Sequence, residues 1–243
     1  MNNSQIRVPS LVRIKPGALP RLGTYLSRSG FTDVLVVSGQ LPEAVTQMAR
    51  QGLENNRIHS GPWVEVDDNS FENVVELFAL LPKKTMAIVG LGGGKALDTA
   101  KAVAENLGLP CVIIPTVASN DAPCSGVAVL YNDAGVVIKA VLMRRNPDLV
   151  LVDTGIIANA PRRLFAAGLG DALSTWFEAR ACKNSGARTM ARGNVSNTGL
   201  MMARLCYDLL MEKGRDALAA VERHEVTPAL EDSLLARVRE AAA

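Results

Sequence analysis

The chain has 243 residues, of which 48% are hydrophobic and 21% charged, and this balance is typical of a soluble globular protein rather than a disordered one. The formal net charge is only +2, which gives no reason to expect nucleic acid or an anionic membrane as a partner. No apolar run approaches the ~20 residues of a membrane span, and the polar N-terminus is unlike a signal peptide. The four cysteines are too far apart for a metal knuckle, so we expect reduced thiols and a cytoplasmic protein.

Short apolar runs alternate with amphipathic segments through the first 160 residues. The apolar runs lie at 33–37, 86–89, 111–114 and 149–152. The helical patterns lie near 17–29, 42–53, 70–81 and 95–107. Almost continuously apolar runs are expected of parallel strands that helices cover on both faces, so the alternation predicts a doubly wound, mostly parallel α/β sheet. A hairpin is predicted where 127–131 and 136–141 flank the turn-forming residues 132–135.

The composition changes near residue 162. Eleven of the twelve prolines and fourteen of the twenty glycines precede it, whereas sixteen alanines follow it. This shift predicts an α/β domain at 1–160 and an all-helical domain at 161–243. The predicted helices run from Pro161 to Gly168, from Asp171 to about Lys183, from about Asn194 to Lys213 before Gly214, and from Thr227–Pro228 to at least Ala243.

A glycine cluster at 90–94, followed by Lys95, joins a predicted strand to a predicted helix. Glycines allow the backbone to approach an anion, and a helix N-terminus supplies free N–H groups with a partial positive charge. Lys95 adds a positive charge that is unfavourable there unless an anion lies nearby. A diphosphate site is therefore favoured, with a simple packing turn as the alternative, because the spacing matches neither standard nucleotide fingerprint. Asp98 and Lys101 share one face of this helix, where the simplest interpretation is a surface ion pair.

Three segments together resemble a known family. They are 92–101 (Gly-Gly-Gly-Lys-Ala-Leu-Asp-Thr-Ala-Lys), 115–125 (Pro-Thr-Val-Ala-Ser-Asn-Asp-Ala-Pro-Cys-Ser) and 168–179 (Gly-Leu-Gly-Asp-Ala-Leu-Ser-Thr-Trp-Phe-Glu-Ala). Their order and spacing resemble the iron-containing-alcohol-dehydrogenase-like superfamily and, within it, the glycerol dehydrogenase branch. The segments 145–154 and 226–230 also match, so the likeness extends from about residue 86 to 231.

The resemblance implies an N-terminal nucleotide domain and a C-terminal helical domain with the active site in the cleft between them. It implies an NAD-dependent oxidation of glycerol or a related polyol to dihydroxyacetone or its analogue. The implied contacts of the NAD diphosphate are Gly93, Gly94 and Lys95, with Asp98 beside them. The other implied cofactor contacts are Thr116 and Ser119, followed on the nicotinamide side by Ser125, Val127 and Tyr131. For Thr116 and Ser119 a turn-capping role is the alternative, and for Tyr131 that of an ordinary strand aromatic.

The resemblance also implies two catalytic carboxylates. Asp121 would hydrogen-bond the polyol hydroxyls, and Asp171 would be one ligand of a catalytic zinc. In such enzymes zinc lowers the pKa of the substrate hydroxyl, and the resulting alkoxide gives up a hydride to the nicotinamide. From the residues alone, Asp171 is a good helix N-cap. Cys124 is better explained as a packed residue than as a nucleophile.

The sequence departs from the family in two respects. The family supplies two histidine ligands from later helices, but His59 and His224 stand in neither position, so we expect an incomplete helical domain and metal site. The apolar face left open would be covered in a homo-oligomer or by a second chain. The positions 38–40 (Ser-Gly-Gln) lack the acid that often binds the adenosine ribose, which leaves NADP as an alternative to NAD. Glycerol-1-phosphate dehydrogenase and a non-catalytic NAD-binding fragment, or half of a split enzyme, are the alternative functions.

Overall fold

A computed structural model describes residues 6–66, 82–132, 134, 136–189 and 193–240. Its strands are β1 Leu11–Lys15, β2 Asp33–Ser38, β3 His59–Glu65, β4 Ala87–Gly92, β5 Cys111–Pro115, β6 Val127–Tyr131, β7 Val137–Leu142 and β8 Leu149–Asp153. Six of them form one sheet in the order β1-β8-β5-β4-β2-β3, and every neighbouring pair is parallel. The predicted hairpin is confirmed, because β6 and β7 pair antiparallel as a separate two-stranded sheet.

The helices lie on both faces of the large sheet and continue beyond it. They are α1 Leu22–Arg28, α2 Glu43–Glu54, α3 Gly94–Leu107, α4 Thr154–Ala158, α5 Arg162–Ser185, α6 Asn197–Glu222 and α7 Pro228–Glu240. The helix predicted at 70–81 lies outside the described residues. None of the helices in the described part of the chain is long and apolar enough to cross a membrane.

Two hydrophobic clusters sandwich the sheet and confirm the doubly wound arrangement. In β2, Leu35 and Val37 belong to one cluster, whereas Val34 and Val36 belong to the other. Because successive strand residues point to opposite faces, both sets of side chains must be apolar, which explains the continuously apolar runs of the central strands. One cluster contains residues of α1 and α2, and the other contains residues of α3 to α7.

Three of the predicted helix boundaries are wrong. A single helix, α5, runs through both Gly168 and Asp171, so Gly168 ends no helix and Asp171 begins none. Likewise α6 continues through Gly214 to Glu222. Neither glycine adopts the left-handed conformation of a helix cap, which Gly108 at the end of α3 does adopt, with φ +66°. A Cβ at Gly168 would lie 2.1 Å from the carbonyl oxygen of Ala118, so this glycine serves close packing instead.

Some apolar side chains of the helices after residue 161 pack on the sheet, whereas others remain exposed. Phe165, Val221 and Leu234 share a cluster with Val150 and Val152 of β8. Several large apolar side chains of α5 and α6 remain exposed, namely Phe177, Met201, Leu205 and Met211. This agrees with the expectation of an open apolar face, whereas the partner that would cover it remains a prediction.

Candidate active site at the carboxyl edge of the sheet

The glycine turn lies where the strand order of the sheet reverses. On one side of β4 are β2 and β3, and on the other are β5 and β8. Ligands of open α/β sheets bind outside the carboxyl ends of the strands at such a point. Gly92 has φ +147°, and a Cβ there would lie 3.1 Å from the backbone nitrogen of Gly39 in the loop after β2. Only glycine permits this approach of the two loops.

The turn also fits the diphosphate of a dinucleotide. Gly93 precedes the first turn of α3 in an extended conformation, α3 begins at Gly94, and the side chain of Lys95 is exposed beside them. A Cβ at Gly94 would lie 2.7 Å from Asn120 Nδ2, so a larger residue would fill the space between α3 and the next loop. An open helix N-terminus with glycines and an exposed lysine is the arrangement that binds phosphate oxygens.

The loop between β5 and β6, residues 116–126, connects this turn to the predicted catalytic residues. The Thr116 N–H donates to the Gly92 carbonyl at 2.9 Å, and Asn120 Oδ1 accepts from the Ala122 N–H at 3.3 Å. Thr116 is buried, Ser119 is half-buried and Asn120 is exposed. The loop therefore contacts the glycine turn at Thr116 and again at Asn120, immediately before Asp121.

Asp121 and Asp171, the two residues predicted to be catalytic, lie side by side, while their catalytic roles stay predictions. Asp121 is on the loop, and its backbone N–H donates towards the carboxylate of Asp171, which lies inside α5. Partial burial raises the pKa of Asp171, the neighbouring Asp121 charge raises it further, and the Arg237 charge opposes both. The alternative role of Asp171 as a helix N-cap is wrong, because the residue is two turns into the helix.

Arg237 of α7 is a site residue that the sequence analysis missed. Its guanidinium donates to the carbonyls of Ala118 at 2.6 Å and Asn120 at 3.0 Å, and the residue is only 7% exposed. The guanidinium also lies 2.4 Å from the position of a Cβ on Gly168, so the glycine of α5 makes room for it. An open pocket between the loop and α7 is lined in part by Asp121, Arg237 and Leu234. The only sequence signal was a glycine where a helix would favour alanine.

Lys101 is the second buried cation of the site, and the surface ion pair expected for it and Asp98 is wrong. Lys101 is 0% exposed, and its Nζ lies 2.8 Å from Asp98 Oδ1. The other oxygen of Asp98 accepts the Val129 N–H at 3.2 Å. Burial raises the pKa of Asp98, while the Lys101 ammonium and the Val129 N–H oppose the shift. Asp98 is thus turned towards β6, on the far side of α3 from solvent.

The predicted nicotinamide-side residues lie at the start and end of β6. Ser125 is buried, with its hydroxyl 3.3 Å from Lys101 Nζ. Val127 and Tyr131 are half-buried, and Tyr131 pairs with Val137 across the hairpin. Their contact with a nicotinamide remains a prediction.

The described residues do not assemble a zinc site. No group of three or more histidine, cysteine, aspartate or glutamate side chains is placed to hold a metal ion in the described part of the chain. His224 Nδ1 lies 3.2 Å from the Ala158 carbonyl, and His59 begins β3 at the edge of the sheet. A catalytic zinc needs about three protein ligands, and Asp171 has Asp121, Glu178 and Arg237 as its charged neighbours.

Comparison with known proteins agrees with this architecture. Residues 13–161 match the family described as iron-containing alcohol dehydrogenase. The chain is 57% identical over 145 residues to the glycerol dehydrogenase of Escherichia coli O6:H1, covering 60% of this chain and 40% of that protein. It is 52% identical over 227 residues to the glycerol dehydrogenase of Citrobacter freundii, covering 93% of this chain and 62% of that protein.

A solved structure extends the likeness to the whole fold. The glycerol dehydrogenase of Schizosaccharomyces pombe superposes with a TM-score of 0.86 at 28% identity, covering 100% of this chain and 62% of that one. The chain thus spans between 40% and 62% of the length of these relatives. The family match covers more than half of the chain and includes the glycine turn and the loop that carries Asp121, so the chain belongs to the iron-containing alcohol dehydrogenase family.

Proposed function

We propose that the chain is an oxidoreductase that transfers a hydride between glycerol, or a related small polyol, and NAD. One observation carries this proposal: a single loop, residues 116–126, contacts the glycine turn at one end and presents Asp121 beside Asp171 further along. A diphosphate held at the turn would place the rest of the dinucleotide along this loop. The names of the relatives, glycerol dehydrogenases in two bacteria, support the same substrate class.

The residues of this chain would bind and orient the two reactants. Gly93, Gly94 and Lys95 would hold the diphosphate, while the exposed carboxylate of Asp121 would accept hydrogen bonds from the polyol hydroxyls. When bound, NAD supplies the nicotinamide ring that accepts the hydride. Zinc is the metal that the resemblance implies, but the described residues offer it too few ligands, so no step is assigned to it.

The test is turnover by the purified chain. Glycerol is mixed with NAD or NADP, with added zinc or with a chelator, and the absorbance of the reduced nucleotide is followed. We expect Asp121→Asn to lower kcat/KM for glycerol by about 100-fold, because an amide is a poorer acceptor for the hydroxyl protons. Asp216→Asn, at an exposed aspartate of α6, is the matched control. The proposal is contradicted if the folded chain binds nucleotide but reduces neither NAD nor NADP with any small polyol.

One observation favours a second candidate. Among the described residues, no group of three or more potential ligands is placed to hold a metal ion, which is compatible with a nucleotide-binding chain that a second chain completes. Restoration of turnover by a separate fragment containing the last third of a relative would support this candidate, and turnover by the chain alone would contradict it. The reverse reaction tests the alternative of glycerol-1-phosphate dehydrogenase, because reduction of dihydroxyacetone by the reduced nucleotide in preference to dihydroxyacetone phosphate would rule it out.

A further inference from the structure

The ammonium group of Lys101 is enclosed by oxygen atoms from a segment that follows it by more than twenty residues. Lys101 Nζ lies 2.9 Å from the carbonyl oxygen of Ala122. It lies 3.5 Å and 3.3 Å from the carbonyl and hydroxyl oxygens of Ser125, and it also donates to the carbonyl of Val127. With Asp98 on its own helix, the ammonium therefore has four residues as partners and no exposure to solvent.

These contacts join two parts of the candidate site. Lys101 lies in α3, whose first turn is the predicted diphosphate site, and its partners lie between Asp121 and the start of β6. Buried main-chain carbonyls must be hydrogen-bonded, and those of Ala122, Ser125 and Val127 share one charged donor. The path of this segment is thus fixed relative to α3 by a side chain that has no role in binding either reactant.

We infer that Lys101 is a positioning residue: its buried ammonium holds residues 121–127 so that Asp121 faces the substrate. The inference rests on the proposed function for its catalytic consequence, but the ordering of the segment is a property of the chain itself. The ammonium of Lys101 is fully buried, so leaving it without partners would cost free energy. The three main-chain carbonyls and the Asp98 carboxylate offset that cost, but they surround the ammonium only when residues 121–127 follow one backbone path. The ammonium therefore selects one backbone path for residues 121–127.

The test compares two variants with the wild type. Lys101→Met keeps the aliphatic length but removes the charge, which leaves Asp98 as a buried carboxylate. The double variant Asp98→Asn/Lys101→Met removes both charges of the pair, so the fold is not left with an unpaired buried ion. Lys213→Met, which breaks the more exposed pair of Lys213 with Asp232 on α6 and α7, is the matched control.

Amide hydrogen exchange in D₂O gives a readout that needs no activity. We expect exchange across residues 121–127 to quicken about 10- to 100-fold in the double variant, the change that corresponds to losing one charge-assisted hydrogen bond. Peptides from β2, β4 and α6 should exchange as in the wild type. Uniformly faster exchange, unchanged exchange at 121–127, or failure of both variants to fold would each overturn the inference, because Lys101 would then act on global stability or not at all.

Kinetics separate positioning from general stability. We expect kcat with glycerol to fall about 100-fold in the double variant, the effect of displacing an orienting group by about 1 Å, while KM for NAD changes by less than about threefold. A rise of about 100-fold in KM for NAD, with kcat unchanged, would contradict a positioning role. If the wild type shows no turnover, the proposed function fails, but the exchange measurement still decides whether Lys101 orders the segment.

Discussion

Gly168 occupies a point where α5, α7 and the loop after β5 meet. A methyl group there would lie 2.1 Å from the Ala118 carbonyl oxygen and 2.4 Å from the Arg237 guanidinium. We expect Gly168→Ala to lower the free energy of unfolding by about 1–3 kcal/mol, because overpacking outweighs the better helix propensity of alanine. Gly170→Ala is the control, since a Cβ at Gly170 meets nothing within 4 Å and should stabilise the helix by up to about 1 kcal/mol. Urea denaturation of both variants measures the difference, and equal stabilisation would contradict the packing role of Gly168.

The buried thiol of Cys111 should make the free energy of unfolding decrease at alkaline pH. Burial raises its pKa from an ordinary value of 9.0 to about 12. Because the folded state keeps the proton, this contribution is complete below pH 9 and is lost as the pH rises towards 12. Between pH 8 and 10 the free energy of unfolding of the wild type should fall by about 1.4 kcal/mol more than that of Cys111→Ala. Denaturant titrations at both pH values measure this difference. Val112→Ala, which keeps the thiol, should retain the loss of the wild type. The same drop in Cys111→Ala would contradict the assignment.

At the level of elements, the side chain of Arg237 joins α7 to the loop after β5. Arg237→Gln would remove two charge-assisted hydrogen bonds to the loop carbonyls of Ala118 and Asn120. We expect the free energy of unfolding to fall by about 2–4 kcal/mol, measured by urea denaturation. Arg215→Gln, at an exposed arginine of α6, should change it by less than about 0.5 kcal/mol. A similar effect of both substitutions would show that α7 is held by its apolar contacts alone.

The strands of the large sheet that could be predicted from the sequence are those that helices cover on both faces. The runs in β2, β4, β5 and β8 are continuously apolar because helices cover both sides of them. β1 and β3 were not predicted, because they are the two edges of the sheet, where polar residues and a proline are tolerated. The helix end predicted at Gly168 was wrong because the sequence does not distinguish a glycine that allows close packing from a glycine that ends a helix.

The candidate site could be predicted where backbone conformation restricts the residue type, as in the glycine turn before α3. The burial of Lys101 and Arg237 could not be predicted, because lysine and arginine are seldom buried. The oxygens that accept their hydrogen bonds are main-chain carbonyls of residues that are distant in sequence. Main-chain carbonyls leave no trace in the amino-acid letters. The division of the chain at residue 160 and the contacts of Ser119, Ser125 and Tyr131 with a cofactor stay predictions.

At the scale of the whole molecule, the outer surfaces of α5 and α6 predict self-association. Met201 is 73% exposed and Leu205, one turn along α6, is 43% exposed, with Phe177 of α5 also open to solvent. We expect the variant Met201→Lys/Leu205→Lys to lower the sedimentation coefficient of the chain at high concentration, because charged residues oppose the burial of this surface. Met86→Lys, at an exposed methionine before β4, should leave sedimentation unchanged. A wild type that is monomeric at all concentrations would contradict the prediction.

The pairing of β1 with β8 has a consequence for how the chain is made. The carboxylate of Asp153 at the end of β8 accepts the N–H of Leu19, 134 positions earlier, and that of Gly17. At roughly 5–20 residues per second, a ribosome needs on the order of ten seconds to synthesise the intervening stretch. During that time β1 has no strand to pair with, and β5 is the open edge of whatever sheet has formed. Of the described strands, β1 is synthesised first and yet is among the last to be incorporated, because its pairing with β8 joins residues that are distant in sequence, and such non-local pairings form slowly.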